Sequence, residues 1–140
     1  MGISIIHQTG KEDYARIVGQ YEQMGIQADV FDFSKEIEKK MAQADFAVSR
    51  AGASTLWELT ANALPTLFIP YPHAASNHQY YNAEFLYEKK LAFLKQQNEL
   101  STDFFFQCLK ADINTMSTGL AQAIMSDSIE LIVDAILNEK

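Results

Sequence analysis

Short apolar runs alternate with longer stretches of helical periodicity along the first hundred residues. The β-branched run Ile3-Ser4-Ile5-Ile6-His7 ends in the loop Gln8-Thr9-Gly10, and Lys11 to Met24 then reads as a helix closing at Gly25. Ala28-Asp29-Val30-Phe31 is a second strand, followed by the short segment Asp32-Phe33-Ser34 and a helix predicted over about 35–44, with Ile37 and Met41 on one face. Asp45 to Val48 is a third strand, and the glycine turn from Ser49 to Glu58 hands it over to a helix running to Ala63. Thr66 to Ile69 is a fourth strand after the helix-ending Leu64-Pro65, and it leads into the proline-bracketed loop Pro70 to Asn77. A helix from His78 to Lys89 and a fifth strand, Leu91 to Leu94, complete the pattern. Ser101 to Lys140 reads as helical throughout, with Ile129, Ile132, Val133 and Ile136 at helical spacing, and is expected on the flank of the sheet. Five alternations of strand and helix predict an α/β fold with a Rossmann-like, doubly wound parallel sheet.

In such a sheet ligands bind at the carboxyl ends of the strands, and polar residues collect there. His7, Gln8 and Thr9 follow the first strand, Phe33 the second, the glycine turn the third, and His73, Asn77, His78, Gln79 and Asn82 the fourth. In the turn, Gly52 is expected to take a backbone conformation closed to other residues. The amides of Ala53, Ser54 and Thr55 then face outward at a positive helix N-terminus, which suits a phosphate group. A capping box between Thr55 and Glu58 explains the same residues equally well. Phe33 can stack on a base or plug the core, and its surroundings in the sequence favour the plug. Glu58 can accept two hydrogen bonds from a ribose diol. Gln79 and Asn82, three apart on one helical face, suit sugar hydroxyls. His73 and His78 are five apart with no accompanying carboxylate or cysteine, which argues against a metal. There is no serine or cysteine triad and no carboxylate pair of glycosidase type.

With 140 residues, 48% of them hydrophobic, one domain spanning residues 1–140 is expected. The net charge of −7 argues against a nucleic-acid surface and against an electrostatic hold on anionic lipid. It also means that a phosphate site relies on backbone amides and on Arg50. The single cysteine, Cys108, reads as a core residue in a reducing compartment. No apolar run approaches the roughly 20 residues that span a bilayer and no signal peptide is apparent, so the cytoplasm is the expected location.

Taken together, these motifs carry a resemblance. His7-Gln8-Thr9-Gly10, Phe33, Ala44-Asp45 with Ser49-Arg50-Ala51-Gly52-Ala53-Ser54-Thr55 and Glu58, Leu64-Pro65, Pro70-Tyr71-Pro72-His73-Ala74-Ala75 and Asn77-His78-Gln79 with Asn82-Ala83 stand in order and at family-like spacing. Over about residues 7–94 the chain resembles the C-terminal half of the MurG family, the bacterial N-acetylglucosaminyltransferases of glycosyltransferase family 28 that convert lipid I to lipid II in peptidoglycan synthesis. The resemblance implies a GT-B architecture, of which this chain is the donor-binding domain for UDP-N-acetylglucosamine. It implies that Phe33 covers the uracil while the backbone at Ser34 reads its edge, and that Gly52, Ala53, Ser54 and Thr55, with Arg50, hold the diphosphate. Glu58 then takes the ribose hydroxyls, and His78, Gln79 and Asn82 sit near the sugar. It implies inverting chemistry without an essential metal or cofactor.

Three positions depart from the family pattern: Ser34 where an aliphatic residue is common, Ser54 in place of a leucine, and a bulky Trp57 beside the turn. The chain opens directly in a strand, without the family's preceding glycine-rich loop and its acceptor domain. It is therefore expected to be a fragment, inactive alone, with the catalytic base, the lipid I contacts and the membrane contact in the part not represented. The whole protein is expected at the cytoplasmic face of the inner membrane. Two other readings fit the same residues: a donor-binding subunit of a two-chain N-acetylglucosaminyltransferase, and a non-catalytic α/β module that binds a protein partner.

Overall fold

A computed structural model describes residues 2–138. The chain divides into two compact units, one through Ala44 and one from Asp45 onward. In the first, β1 (Ile5–Gln8) pairs in parallel with β2 (Ala28–Phe31) across α1 (Tyr14–Gln23), with Ile5 opposite Ala28 and Gln8 opposite Phe31. A short α2 (Ile37–Met41) follows and buries Met41. In the second, β3 (Ala47–Ser49), β4 (Thr66–Phe68) and β5 (Phe93–Leu94) form a parallel sheet in that order, β4 at its centre. Helices α3 (Ala53–Ala61) and α4 (His78–Glu88) make the crossovers. The expected alternation of strands and helices and the parallel pairing are both present, with the strands distributed over a two-stranded and a three-stranded sheet.

The core of the second unit is β4 and what packs on it. All three β4 residues are buried, Leu67 and Phe68 almost completely, and Leu56 and Leu59 of α3 and Ala83 and Leu86 of α4 are buried as well. This burial on both faces is why the strand reads as a continuous apolar run rather than an alternation. Its one polar side chain, Thr66, returns its hydroxyl proton to Leu64 O at 2.8 Å, so no hydrogen-bonding capacity is wasted.

The region expected to be helical from Ser101 on is two helices, α5 (Thr102–Lys110) and α6 (Ile113–Asn138), broken at Ala111 and Asp112. Asp112 accepts from the Thr115 amide at 3.0 Å and from its hydroxyl at 2.6 Å, capping α6. Those bonds hold its carboxyl below the usual aspartate range. The stabilisation is therefore present above that range and is lost as pH falls through the lowered value. The first turns of α6 pack on α3, with Leu120 buried and Ser117 donating to Ala63 O at 2.7 Å. The side chains of Ile129, Ile132, Val133 and Ile136 lie outside the described residues. Cys108 is buried on α5 as expected, and burial pushes its thiol above the ordinary value.

Three helices stop in the same way before the next strand. After α1, α3 and α4, residues Gly25, Ala63 and Lys90 adopt left-handed backbone with φ of 66°, 50° and 60°. Paired amides return from them and from their successors: Gly25 to Glu22 and Ile26 to Tyr21, Ala63 to Thr60 and Leu64 to Leu59, Lys90 to Tyr87 and Leu91 to Leu86. This is the Schellman stop, in which glycine is the usual residue because a Cβ is strained there. Only Gly25 follows that rule. Ala63→Gly is therefore expected to raise stability by about 1 kcal/mol, measured by urea titration.

Candidate functional site

The turn between β3 and α3 is built from Arg50, Ala51 and Gly52. Gly52 has φ −62° and ψ 140°, ordinary extended backbone open to any residue, so the expected special conformation is absent. What glycine contributes is open space. A Cβ there meets only Gln79 Nε2, at 4.0 Å, leaving the backbone approachable. The expected capping box is also absent, because α3 starts at Ala53 and Thr55 is its third residue rather than its cap. The first intrahelical bond runs from the Leu56 amide to Gly52 O at 2.9 Å. The amides of Ala53, Ser54 and Thr55 before it have no hydrogen bond among the described residues, and all three residues are exposed. An uncapped helix start of this kind offers convergent N–H groups and the positive end of the helix dipole. Glu58 stands one turn further along the exposed face, where its Oε1 accepts from Ser54 Oγ at 3.2 Å.

Helix α4 holds this turn in place. Gln79 Oε1 accepts from the Ala51 amide at 3.3 Å and from the Tyr71 amide at 2.9 Å, and Asn82 Nδ2 donates to Ala51 O at 3.0 Å. Their spacing of three, expected to present both to a sugar, instead clamps both backbone groups of the fully buried Ala51. Among the described residues, Gln79 Nε2 and Asn82 Oδ1 have no hydrogen-bond partner. His78 opens the helix and is exposed. Immediately before it, Ser76 and Asn77 both have left-handed backbone, φ 53° and 55°. Consecutive non-glycine residues in that region store strain of about 1–3 kcal/mol each and are typical of functional loops. Trp57 lies against Phe85 of α4 with ring centroids 5.8 Å apart.

Arg50 was expected to meet a phosphate. Its guanidinium instead donates from Nη1 to Ile69 O at 3.2 Å and to Pro70 O at 3.3 Å, and from Nη2 to Gln97 Oε1 at 2.8 Å. It also lies 5.7 Å from the Tyr71 ring centroid. Arg50 and Gln97 form one side of an open cavity of about 390 Å³, with Val48, Ser49, Ile69 and Leu100. Sequence reading missed Gln97, which no local signal marks, since it reaches Arg50 across 47 residues, and it gave Tyr71 no role although that residue stands in the Pro70 to Ala75 motif.

In the first unit, Phe33 is 63% exposed in the loop after β2, which excludes the core-plugging role its sequence surroundings favoured. Its amide donates to Asp32 Oδ1 at 2.7 Å, fixing the loop. Ser34 Oγ accepts from the Glu36 amide at 3.1 Å. His7 Nδ1 is hydrogen-bonded to Tyr21 OH of α1 at 2.9 Å. Among the described residues, no three His, Cys, Asp or Glu side chains are grouped to hold a metal ion. Nor is any helix there long and apolar enough to cross a membrane.

Residues 2–131 match the glycosyltransferase family 28 C-terminal domain. The chain is 50% identical over 138 residues to a Campylobacter fetus protein named UDP-N-acetylglucosamine--N-acetylmuramyl-(pentapeptide) pyrophosphoryl-undecaprenol N-acetylglucosamine transferase, covering 98% of this chain and 41% of that protein. It is 48% identical over 137 residues to the protein of the same name from Sulfurovum sp., covering 98% and 40%. The chain thus spans about two fifths of the length of these curated relatives. The crystal structure of Acinetobacter baumannii MurG superimposes with a TM-score of 0.80 at 24% identity, over 97% of this chain and 41% of that one, and so shares its fold.

Proposed function

Because this chain belongs to the glycosyltransferase family 28 C-terminal domain family, we propose that it is the donor-binding part of an N-acetylglucosaminyltransferase of peptidoglycan synthesis. The donor is UDP-N-acetylglucosamine, and the acceptor is the lipid-linked N-acetylmuramyl-pentapeptide for which the relatives are named. The observation that carries this reading is the uncapped start of α3, where the amides of three exposed residues stand together beside Gly52 with no hydrogen bond among the described residues.

In this reading the amides of Ala53, Ser54 and Thr55 take the diphosphate and Glu58 accepts from the ribose hydroxyls. His78, Gln79 Nε2 and Asn82 Oδ1 face the sugar. The reaction is a displacement at the anomeric carbon: an acceptor hydroxyl forms the new C–O bond, and the bond from that carbon to the diphosphate oxygen breaks. The hydroxyl proton goes to a base outside this chain. Negative charge develops on the departing UDP, where helix-terminal amides stabilise it electrostatically, so no metal is needed. Acceptor and membrane contacts belong to the remaining three fifths of the full-length relatives, with the whole enzyme peripheral to the cytoplasmic face of the membrane.

Calorimetric titration of the chain with UDP, UDP-N-acetylglucosamine and UDP-glucose, with and without Mg²⁺, tests this assignment. The expected outcome is binding of UDP and UDP-N-acetylglucosamine that does not depend on Mg²⁺. Gly52→Ser makes the test specific. A serine at the helix cap satisfies one of the orphan amides and is expected to stabilise the fold by a few tenths of a kcal/mol. It is also expected to weaken UDP at least about tenfold, since it competes for that amide and fills the open approach. Unchanged UDP affinity in the serine variant places the phosphate elsewhere.

A further inference from the structure

The contacts of Arg50 close a ring. Its side chain donates to Pro70 O, the next amide along that loop is Tyr71 N–H, and this donates to Gln79 Oε1. Gln79 Oε1 in turn accepts from Ala51 N–H, the residue following Arg50. The ring joins the start of α3, the loop after β4 and the first turn of α4, and Gln97 fastens the segment after β5 to the same guanidinium. Every acceptor around Arg50 is a neutral oxygen held at 2.8–3.3 Å, in directions that a planar fork can meet together and a single ammonium cannot.

We propose that Arg50 is a positioning residue, not a phosphate ligand: through its fork to Ile69 O, Pro70 O and Gln97 it holds the amides of α3 and the Gln79 side chain in one register, so that diphosphate and sugar are gripped together. This rests on the donor-binding reading for its functional consequence, while the ring itself is a property of the free chain. Direct charge contact and positioning predict different things for lysine, which keeps the charge and loses the fork.

The test compares Arg50→Lys and Arg50→Met with the unaltered chain by two readouts. Titration with UDP-N-acetylglucosamine is expected to show about a tenfold loss in both variants, with the salt dependence of binding unchanged. Gln97→Ala is expected to produce part of that loss, and to add little when combined with Arg50→Met. Amide hydrogen exchange in the absence of nucleotide is expected to show protection falling about tenfold at Ala51 and Tyr71 in both variants, with β4 unchanged. Near-normal binding by Arg50→Lys, with only Arg50→Met impaired and its salt dependence flattened, overturns the proposal in favour of a phosphate contact. Unaltered exchange at Ala51 and Tyr71 overturns it independently of nucleotide. If the unaltered chain binds no nucleotide, the donor reading fails, and the exchange measurement still decides whether Arg50 holds the ring.

Discussion

Gln79→Ala is expected to weaken UDP-N-acetylglucosamine binding about a hundredfold and to destabilise the chain by about 1–3 kcal/mol. The stability loss follows from the amide of Ala51, a residue with no solvent exposure, which donates to Gln79 Oε1 and has no replacement acceptor once the side chain is truncated. The Tyr71 amide loses the same partner, but Tyr71 is exposed, so water takes over at small cost. Gln79→Glu separates the two effects. A carboxylate keeps an acceptor for both amides, so urea denaturation is expected to give near-normal stability. It has no donor for a sugar oxygen and adds negative charge beside the diphosphate, so donor affinity is expected to stay low. The loss should be greater for UDP-N-acetylglucosamine than for UDP, because only the former has the sugar. A glutamate variant with normal affinity confines Gln79 to the scaffold.

The second large effect is expected at Glu58. Glu58 is exposed and, among the described residues, its carboxylate is hydrogen-bonded only to Ser54 Oγ, so Glu58→Ala should change stability by no more than about 0.5 kcal/mol. If the carboxylate accepts from the ribose diol, removing it costs a charge-assisted interaction of about 1.5–3 kcal/mol, or roughly tenfold to a hundredfold in affinity. That loss should be equal for UDP and UDP-N-acetylglucosamine, which share the ribose. It should be absent for inorganic pyrophosphate. Calorimetry with the three ligands distinguishes this pattern from the sugar-selective one at Gln79, and a loss confined to UDP-N-acetylglucosamine moves Glu58 away from the ribose.

Helix stops show where sequence reading reached its limit. Gly25 announces the end of α1 because glycine is the residue that left-handed backbone prefers. Ala63 and Lys90 take the same backbone with no such mark, held there by the paired return bonds and, at Ala63, by the Ser117 hydroxyl. The capping box failed for a similar reason. Thr55 and Glu58 have the right spacing, but the register of α3 is set by burying Leu56, Leu59 and Thr60, which starts the helix at Ala53.

What the amino-acid order determined by itself was the alternation of strands and helices, the parallel α/β class, the position of the glycine turn and the family to which the chain belongs. Those depend on local periodicity, turn chemistry and short motifs, all of which act within a few residues. Tertiary structure alone decided what the polar residues at the strand ends touch. Arg50 is bound by carbonyls 19 and 20 residues away and by Gln97, and Gln79 and Asn82 spend one hydrogen-bonding atom each on the Ala51 peptide. A side chain's identity states what it can bond; its nearest partner is set by which strand ends the sheet brings side by side, and that is a property of the whole fold.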